Sequence, residues 1–381
     1  MKSILSFFLL GLLAAGLVVQ KQNTQTIDIV QPEIDISSVT PKVFHQLKQT
    51  KPLSTKIEFI EALEINSVGP TVGDFRFDGE GNIYFTSTDP AMSDPKDMGV
   101  SIVRFDRRKK EQKAVPLEAI LTAEQGKEIA WQCYDVDDFG NVYIGISHRT
   151  SAVPRHIFIL SIEGDVISRF DLPNFLPYSI SVDDADRIWI AGESFGAEIA
   201  NTRGVRGQGQ IRVYGKGGNL IAIPVGGFKP EDIAGGNFVK AGSRIKFYLQ
   251  GENGMVHNFA GTELADVWSY PLQQQSTNRS NQLFGLMFCN DYAIWYGAFL
   301  SEARQEPFIM LASLTGDRLT SENKLMVRSK RSFIPVGASR DGDIYFLSVE
   351  HGKTILRTAK VYLDRPHPNK SDEQIQFVNY E

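Results

Sequence analysis

Phe77-Asp78-Gly79-Glu80-Gly81-Asn82-Ile83-Tyr84-Phe85 runs from an apolar strand end through a polar turn into a β-branched and aromatic strand. Asp, Gly and Asn tolerate positive φ or bond their own backbone, so the stretch reads as a β-hairpin. The same chemistry returns at Val136-Asp137-Asp138-Phe139-Gly140-Asn141-Val142-Tyr143-Ile144, at Val182-Asp183-Asp184-Ala185-Asp186-Arg187-Ile188-Trp189-Ile190 and at Ala338-Ser339-Arg340-Asp341-Gly342-Asp343-Ile344-Tyr345-Phe346-Leu347. Weaker copies lie from Val239 to Tyr248 and from Phe288 to Tyr296. With Ile83, Val142, Ile188, Ile245, Ile294 and Ile344 as markers, the copies stand 59, 46, 57, 49 and 50 residues apart. A repeat of this length decides the architecture before any single residue does.

A second hairpin follows each first one. Ser101 to Asp106 follows the first copy, His156 to Ile167 the second, with Gly164-Asp165 as its turn, and Ile211 to Ile221 the third, turning at Gly217-Gly218-Asn219. Later repeats continue at Val256 to Tyr270, Phe308 to Val327 and Thr354 to Leu363. Four antiparallel strands per unit of about fifty residues make a propeller blade, and six units predict an all-β, six-bladed β-propeller. No sustained 3.6-residue period competes, so helix should be minor. The sixth repeat breaks at Asp364-Arg365-Pro366-His367-Pro368 before a fourth strand, while Lys56 to Ile65 alternates ahead of the first repeat. That N-terminal strand is expected to close the last blade and cover edges that otherwise template aggregation.

The chain therefore divides into 1-20, 21-55, 56-364 and 365-381: an N-terminal apolar segment, a polar spacer, the propeller and a polar tail. In the first, Lys2 precedes the apolar run Ile4 to Leu13 and the small residues Ala14-Ala15-Gly16, which reads as an export signal. Leu17-Val18-Val19 extends the run toward, but short of, the roughly 20 residues a spanning helix needs, so an uncleaved anchor is the rival reading and the one route to a membrane. A periplasmic or extracellular monomer is expected. A net charge of −5 over 381 residues argues against nucleic acid, whose phosphates need a basic face. Cys133 and Cys289 fall on repeats two and five, opposite each other in a six-fold ring and too far apart for a disulfide, so two buried thiols are expected.

Turns within each hairpin are short, whereas the connections at the other end are long: Thr88 to Gly99, Ser194 to Gln208, Phe228 to Gly236 and Leu272 to Gln282. Loops on a rigid scaffold carry function, which places a site on the long-loop face, for a small molecule or a protein partner. Asp74, Gln132, Tyr178 and Asn237 should ring the axial mouth there, with Glu128 and Asp232 slightly upstream. Oxygen atoms gathered in this way suit Ca²⁺, with Asp74 and Asn237 as candidate ligands, although capping of strand ends serves as well for both. Asp78, Asp137, Asp183 and Asp341 sit at the short turns and read as turn chemistry. His148, His156 and His257 could reach the long-loop face as bases, and the loop with Glu198, Arg203 and Arg206 could clamp an anion. Trp131, Tyr178, Phe195 and Phe228 supply aromatic surface. Arg107-Arg108-Lys109-Lys110 reads as a solvated turn tip. The signatures of zincins, nucleophile elbows and phosphate-binding loops are missing.

At Asp78-Gly79-Glu80-Gly81-Asn82-Ile83-Tyr84 and its copies, the chain resembles the NHL-type and related TolB-like six-bladed propellers, over about residues 56 to 364. That superfamily includes the senescence marker and gluconolactonase proteins, which set a Glu, two Asn and an Asp around an axial divalent cation. Asp74, Gln132, Tyr178 and Asn237 stand roughly where those ligands fall, and three of the four positions depart from the pattern. Two functions are thus in view. One is an exported, non-catalytic propeller that binds a ligand or protein on its long-loop face. The other, implied by the resemblance, is a divalent-metal-dependent lactonase or hydrolase.

Overall fold

The computed structural model describes residues 44–46, 55–65, 72–87, 101–124, 129–148, 155–195, 207–241, 244–249, 253–271, 280–289, 292–300, 305–315, 318–325, 334–338, 343–350 and 353–363. Outside them lie the apolar N-terminal segment, the polar tail, and most of the long connections. Among the described residues the chain is almost wholly strand, with two short helices, α1 (Glu118–Ala123) and α2 (Pro230–Ala234).

The described strands fall into six sheets. β1 (Phe44–Gln46) and β2 (Thr55–Ile65) come first in the chain but belong to later sheets. The first sheet holds β3 (Val72–Phe77), β4 (Ile83–Ser87), β5 (Ser101–Asp106) and β6 (Glu111–Ala114). The second holds β7 (Ile129–Val136), β8 (Val142–His148), β9 (Arg155–Leu160) and β10 (Val166–Leu172). The third holds β11 (Phe175–Val182), β12 (Ile188–Ser194), β13 (Gln208–Tyr214) and β14 (Leu220–Phe228). The fourth runs β15 (Gly236–Ala241), β16 (Arg244–Leu249), β17 (Asn253–Ala260) and β18 (Glu263–Pro271). The fifth runs β19 (Ser280–Cys289), β20 (Tyr292–Leu300), β21 (Gln305–Thr315) and β22 (Arg318–Leu325). β23 (Ile334–Ala338), β24 (Asp343–Glu350) and β25 (Lys353–Leu363) make the last sheet, and β2 completes it.

This is an all-β propeller with four antiparallel strands per blade. The first strand of each sheet lies against the first strand of the next, through β3, β7, β11, β15, β19 and β23, and β23 lies against β3. β2 pairs antiparallel with β25 from Thr55↔Leu363 to Ile65↔Thr354, so a strand from the front of the chain supplies the fourth place in the last sheet. Within the stretch expected to be a spacer, Phe44–Gln46 forms a short strand. It adds in parallel to the outer edge of the fourth sheet, Phe44↔Val267 to Gln46↔Ser269.

In the inner strands whose side chains are described, both faces are buried and successive residues serve different interfaces. Ile83 and Phe85 of β4 pack with Leu63, Ile65, Phe75, Tyr345 and Leu356 at the boundary of the last and first sheets. Tyr84, between them, packs the other way with Tyr134, Val142, Ile144 and Phe158 of the second sheet, over Ile120 of α1. Comparable clusters join the second sheet to the third around Phe170, Phe175 and Ile190, and the third to the fourth around Trp189, Ile211 and Phe247. Cys133 is a buried thiol of the second-to-third cluster, while the side chain of Cys289 lies outside the described residues.

The repeated turn has one construction. In the first copy Gly81 N–H bonds the carbonyl of Asp78 and Asp78 N–H that of Asn82, with Gly81 at φ 78°. The second copy repeats both bonds with Gly140 at φ 83°, and the third with Asp186 at φ 59°. A type I turn followed by one left-handed residue matches the twist of a hairpin. The side chain of the leading Asp finishes the turn. Oδ1 of Asp78 accepts the N–H groups of Glu80 and Asn82, and its Oδ2 accepts from Asn82 Nδ2 and the Tyr84 hydroxyl. Asp137 does the same with Phe139, Asn141 and Tyr143. Asp183 does so with Ala185, Arg187 and Trp189. The last copy departs. Counted back from Ile344, the residue in the place of Asp78 is Ser339 and not Asp341, and both lie outside the described residues.

Arg107 corrects the reading of the basic run as a solvated tip. Its guanidinium donates to the Tyr345 hydroxyl at 2.8 Å and to Glu61 Oε2 at 3.1 Å, tying the first sheet to β24 and β2. Arg108, one residue on, is mostly exposed, as a turn tip should be.

Candidate functional site

Five of the six first strands carry a β-bulge. Register passes from Trp131↔Ile146 to Cys133↔Gly145 in β7, leaving Gln132 as the extra residue, and from Pro177↔Gly192 to Ser179↔Ala191 in β11, leaving Tyr178. In β3 the residues Asp74 and Phe75 fall between Gly73↔Thr86 and Arg76↔Tyr84, and β19 and β23 are bulged at Phe284 and Val336. Asn237 sits opposite Tyr248 in β15, which is regular. Bulges bend a strand and re-aim its side chains, and here they recur on the innermost strand of the ring. Three of the expected mouth residues, Asp74, Gln132 and Tyr178, are therefore bulge residues.

Among the described side chains of this set, Gln132 and Tyr178 each find a partner within their own sheet. Gln132 Nε2 donates to Ser147 Oγ at 2.7 Å, within its own sheet. The Tyr178 hydroxyl donates to Glu193 Oε2 at 2.5 Å, again within its own sheet and again across fifteen residues of sequence. Asn237 is exposed, as is Asp232 on α2, and the Asp74 side chain and all of Glu128 lie outside the described residues. Among the described residues no three His, Cys, Asp or Glu side chains are gathered as a metal centre requires.

The Tyr178 pair belongs to a larger polar arrangement between the second and third sheets. Glu193, 5% exposed, accepts the backbone N–H of Gly207 at Oε1, 2.5 Å away, so both of its oxygens are occupied. Arg155 opens β9, and its guanidinium lies 4.9 Å from the centre of the Phe195 ring. Burial pushes the pKa of Arg155 down, and the Glu193 carboxylate opposes that shift. Arg212 on β13 stacks on Phe175 at 4.2 Å and donates to Ser194 Oγ at 2.9 Å. A carboxylate fixed by a phenol and a backbone donor, beside a guanidinium backed by an aromatic ring, orients polar groups without needing a metal.

His156 and His257 have structural surroundings. His156 is buried, with Nδ1 2.7 Å from Asp171 Oδ1 and Nε2 3.8 Å from Glu124 Oε1, and Arg169 reaches the same Glu124 oxygen at 2.8 Å. This group fastens the end of α1 to β9 and β10. His257 is buried against Phe228 and Phe247, and burial pushes its pKa down to about 4. The side chain of His148, and the loop with Glu198, Arg203 and Arg206, lie outside the described residues. Of the aromatic residues expected at the mouth, Trp131 packs on Tyr134 and Phe228 on Phe247 and His257, while Tyr178 and Phe195 join the Glu193 and Arg155 group.

Glu193 and Arg155 were not singled out in the sequence. Glu193 ends an apolar strand next to Ser194, and no motif marks it. Its signal is positional: it stands five residues after Ile188, as Ser147 stands five after Val142, each opposite the half of the first strand that carries the bulge.

No protein-family model matches the sequence, and no curated protein matches it. Among solved structures, a prolyl endopeptidase is similar at a TM-score of 0.44 and 10% identity, over 75% of this chain and 39% of that one. The β-propeller domain of the Trilobed protease from Pyrococcus furiosus is similar at a TM-score of 0.41 and 13% identity, over 79% of this chain and 84% of the domain. An acylaminoacyl peptidase from Pyrococcus horikoshii gives 0.41 and 13% over 80% of this chain and 45% of that one. This chain thus spans less than half the length of either whole peptidase, and at these identities the likeness concerns the fold alone.

Proposed function

We propose that the chain is an exported, six-bladed propeller that binds a small molecule or a protein partner on its long-loop face, without catalysing a reaction. Six sheets whose first strands neighbour one another in a cycle support the blade count, and the shared turn supports a place near the NHL-type propellers. The apolar run Ile4 to Leu13 followed by Ala14-Ala15-Gly16 supports export to a periplasmic or extracellular location.

One observation carries the binding reading: Arg155, Tyr178, Glu193 and Phe195 are brought together from two sheets in the half of the ring away from the short turns. Tyr178 and the Gly207 N–H hold Glu193, and Phe195 holds Arg155, so the group is oriented before a ligand arrives. Native mass spectrometry of the full chain, purified from its own source, tests the reading. A bound species is expected on the wild type and is released by Arg155→Ala in a protein that still unfolds cooperatively. Loss from neither Arg155→Ala nor Tyr178→Phe, or no bound species at all, counts against it.

A further inference from the structure

On the reading of the long-loop face as a binding surface, we propose that the group it recognises is a carboxylate, held by the guanidinium of Arg155.

Guanidinium groups laid over aromatic rings recur between the sheets, and most of them also bond a protein oxygen. Arg76, over Tyr134, pairs with Asp135, and Arg107, over Tyr345, donates to Glu61 and the Tyr345 hydroxyl. Arg169, over Phe158, reaches Glu124, and Arg212, over Phe175, donates to Ser194 and Gln210. Arg155 differs. It lies 4.9 Å from the centre of the Phe195 ring, and among the described residues its guanidinium makes no hydrogen bond and no ion pair. The ring behind it is fixed, because the Phe195 N–H bonds the carbonyl of Asn174 at 2.8 Å. Glu193 acts on Arg155 through its charge, but its two oxygens are taken by the Tyr178 hydroxyl and the Gly207 N–H. Burial outweighs that charge, so the pKa of Arg155 stays below its ordinary value. A guanidinium keeps its proton inside proteins, so Arg155 is a half-buried cation short of negative charge.

The acids at this end of the ring do not supply it. The connections flanking Arg155, residues 149–154 and 196–206, carry Arg149, Arg203 and Arg206 against Glu198, all outside the described residues, and Pro173-Asn174 carries no charge. Arginine therefore outnumbers glutamate there even with Glu193 counted. Lys127 offsets its neighbour Glu128 ahead of β7. Glu124 and Asp171 meet Arg169 and His156 on the face of the second sheet that looks to the first, against Phe158. Glu231 and Asp232 belong to α2, whose Ile233 packs between the third and fourth sheets. A carboxylate is planar and singly charged, which suits one forked guanidinium backed by a ring. A phosphate dianion would meet stronger repulsion from Glu193.

Isothermal titration of the full chain at low ionic strength with acetate, its neutral isostere acetamide, and inorganic phosphate tests the proposal. Saturable acetate binding at one site is expected, with no binding of acetamide and weaker binding of phosphate. Arg155→Gln should weaken acetate binding about tenfold or more, and Arg155→Lys, which keeps the charge without the fork, by less. Where Arg155→Gln does not fold, Arg155→Lys decides, and undiminished affinity there overturns the proposal. No saturable acetate binding to the folded wild type also overturns it. So do acetamide or phosphate binding as tightly as acetate, and acetate affinity that survives Arg155→Gln. If acetate fails to bind while Arg155→Ala still releases the natively bound species, the binding face stands and its ligand is not a carboxylate. If no species is bound natively either, both readings fall.

Discussion

The carboxylate of Asp137 accepts four hydrogen bonds, two from the backbone N–H groups of Phe139 and Asn141 and two from the Asn141 amide and the Tyr143 hydroxyl. It closes a turn and at the same time gives a buried phenol its acceptor, so the loss of one side chain is felt in two places. Burial first, then the charge of Asp137, pushes the Tyr143 pKa well up, which keeps that hydroxyl a donor. Asp137→Ala leaves the buried Tyr143 hydroxyl without its acceptor and opens the turn, and should cost roughly 2–4 kcal/mol, read from the midpoint of denaturant unfolding at constant slope. Asp137→Asn, which keeps one carbonyl oxygen, should cost less. Equal stability of Asp137→Ala and wild type would mean that the turn holds itself. The same geometry at Asp78 and Asp183 explains why the repeat could be read from sequence: a turn residue, a left-handed residue three later and an aromatic with a polar tip six later are one hydrogen-bonded unit. Where the leading Asp gives way to Ser339, Tyr345 instead receives a bond from Arg107 of the first sheet. No local pattern announces that exchange, which is why the basic run looked like a solvated tip.

At the level of strands, what the sequence reveals is what period two can encode. A strand with both faces against other sheets becomes a nearly continuous apolar run, as in Val142 to Ile146, and such runs are legible together with their turns. Bulges are not, because one extra residue leaves the composition unchanged, so Gln132 and Tyr178 could be placed on first strands but their partners Ser147 and Glu193 could not. β1 was hidden for another reason: three residues pairing with a strand more than two hundred positions away carry no local signal. β17 shows how packing between strands sets a chemical property. His257 points from it into the aromatic group of Phe228 on β14 and Phe247 on β16, and burial drives its pKa from 6.5 down to about 4, only partly opposed by the Phe247 backbone. The unfolded chain then takes up a proton near pH 6.5 while the folded chain does not until about pH 4. Stability from this group is therefore present above pH 6.5 and lost as pH falls toward 4, by up to about 3 kcal/mol. Unfolding free energies at pH 7 and near pH 4 should differ by less in His257→Phe than in the wild type, and an identical pH dependence in the two proteins would refute this.

At the scale of the molecule, the ring is held at its seam by the chain's own beginning. Propellers must deal with the edge left where the last repeat meets the first, and here β2 fills the missing place with paired residues from Thr55 to Ile65. Its inward side chains Leu63 and Ile65 enter the cluster shared by the first and last sheets, with Phe75, Phe85, Tyr345 and Leu356. Glu61 on the same strand takes the Arg107 guanidinium that also holds Tyr345. Strand pairing, apolar packing and a charged bond thus act on one element, and a propeller without it would expose β25 along its length together with the apolar faces of two sheets. A chain truncated by residues 1 to 66 is accordingly expected to lose cooperative unfolding or to aggregate, measured by thermal unfolding with light scattering. Adding back a peptide spanning residues 55 to 65 should restore part of the transition, since the groove would be formed by the remaining sheets. A truncated chain that stays soluble and unfolds as cooperatively as the full one would show that the seam does not depend on β2. The same closure bears on function, because Tyr178 stands on a first strand whose position the ring as a whole maintains. An opened seam should therefore weaken binding at the Tyr178 and Arg155 group without touching a residue of it.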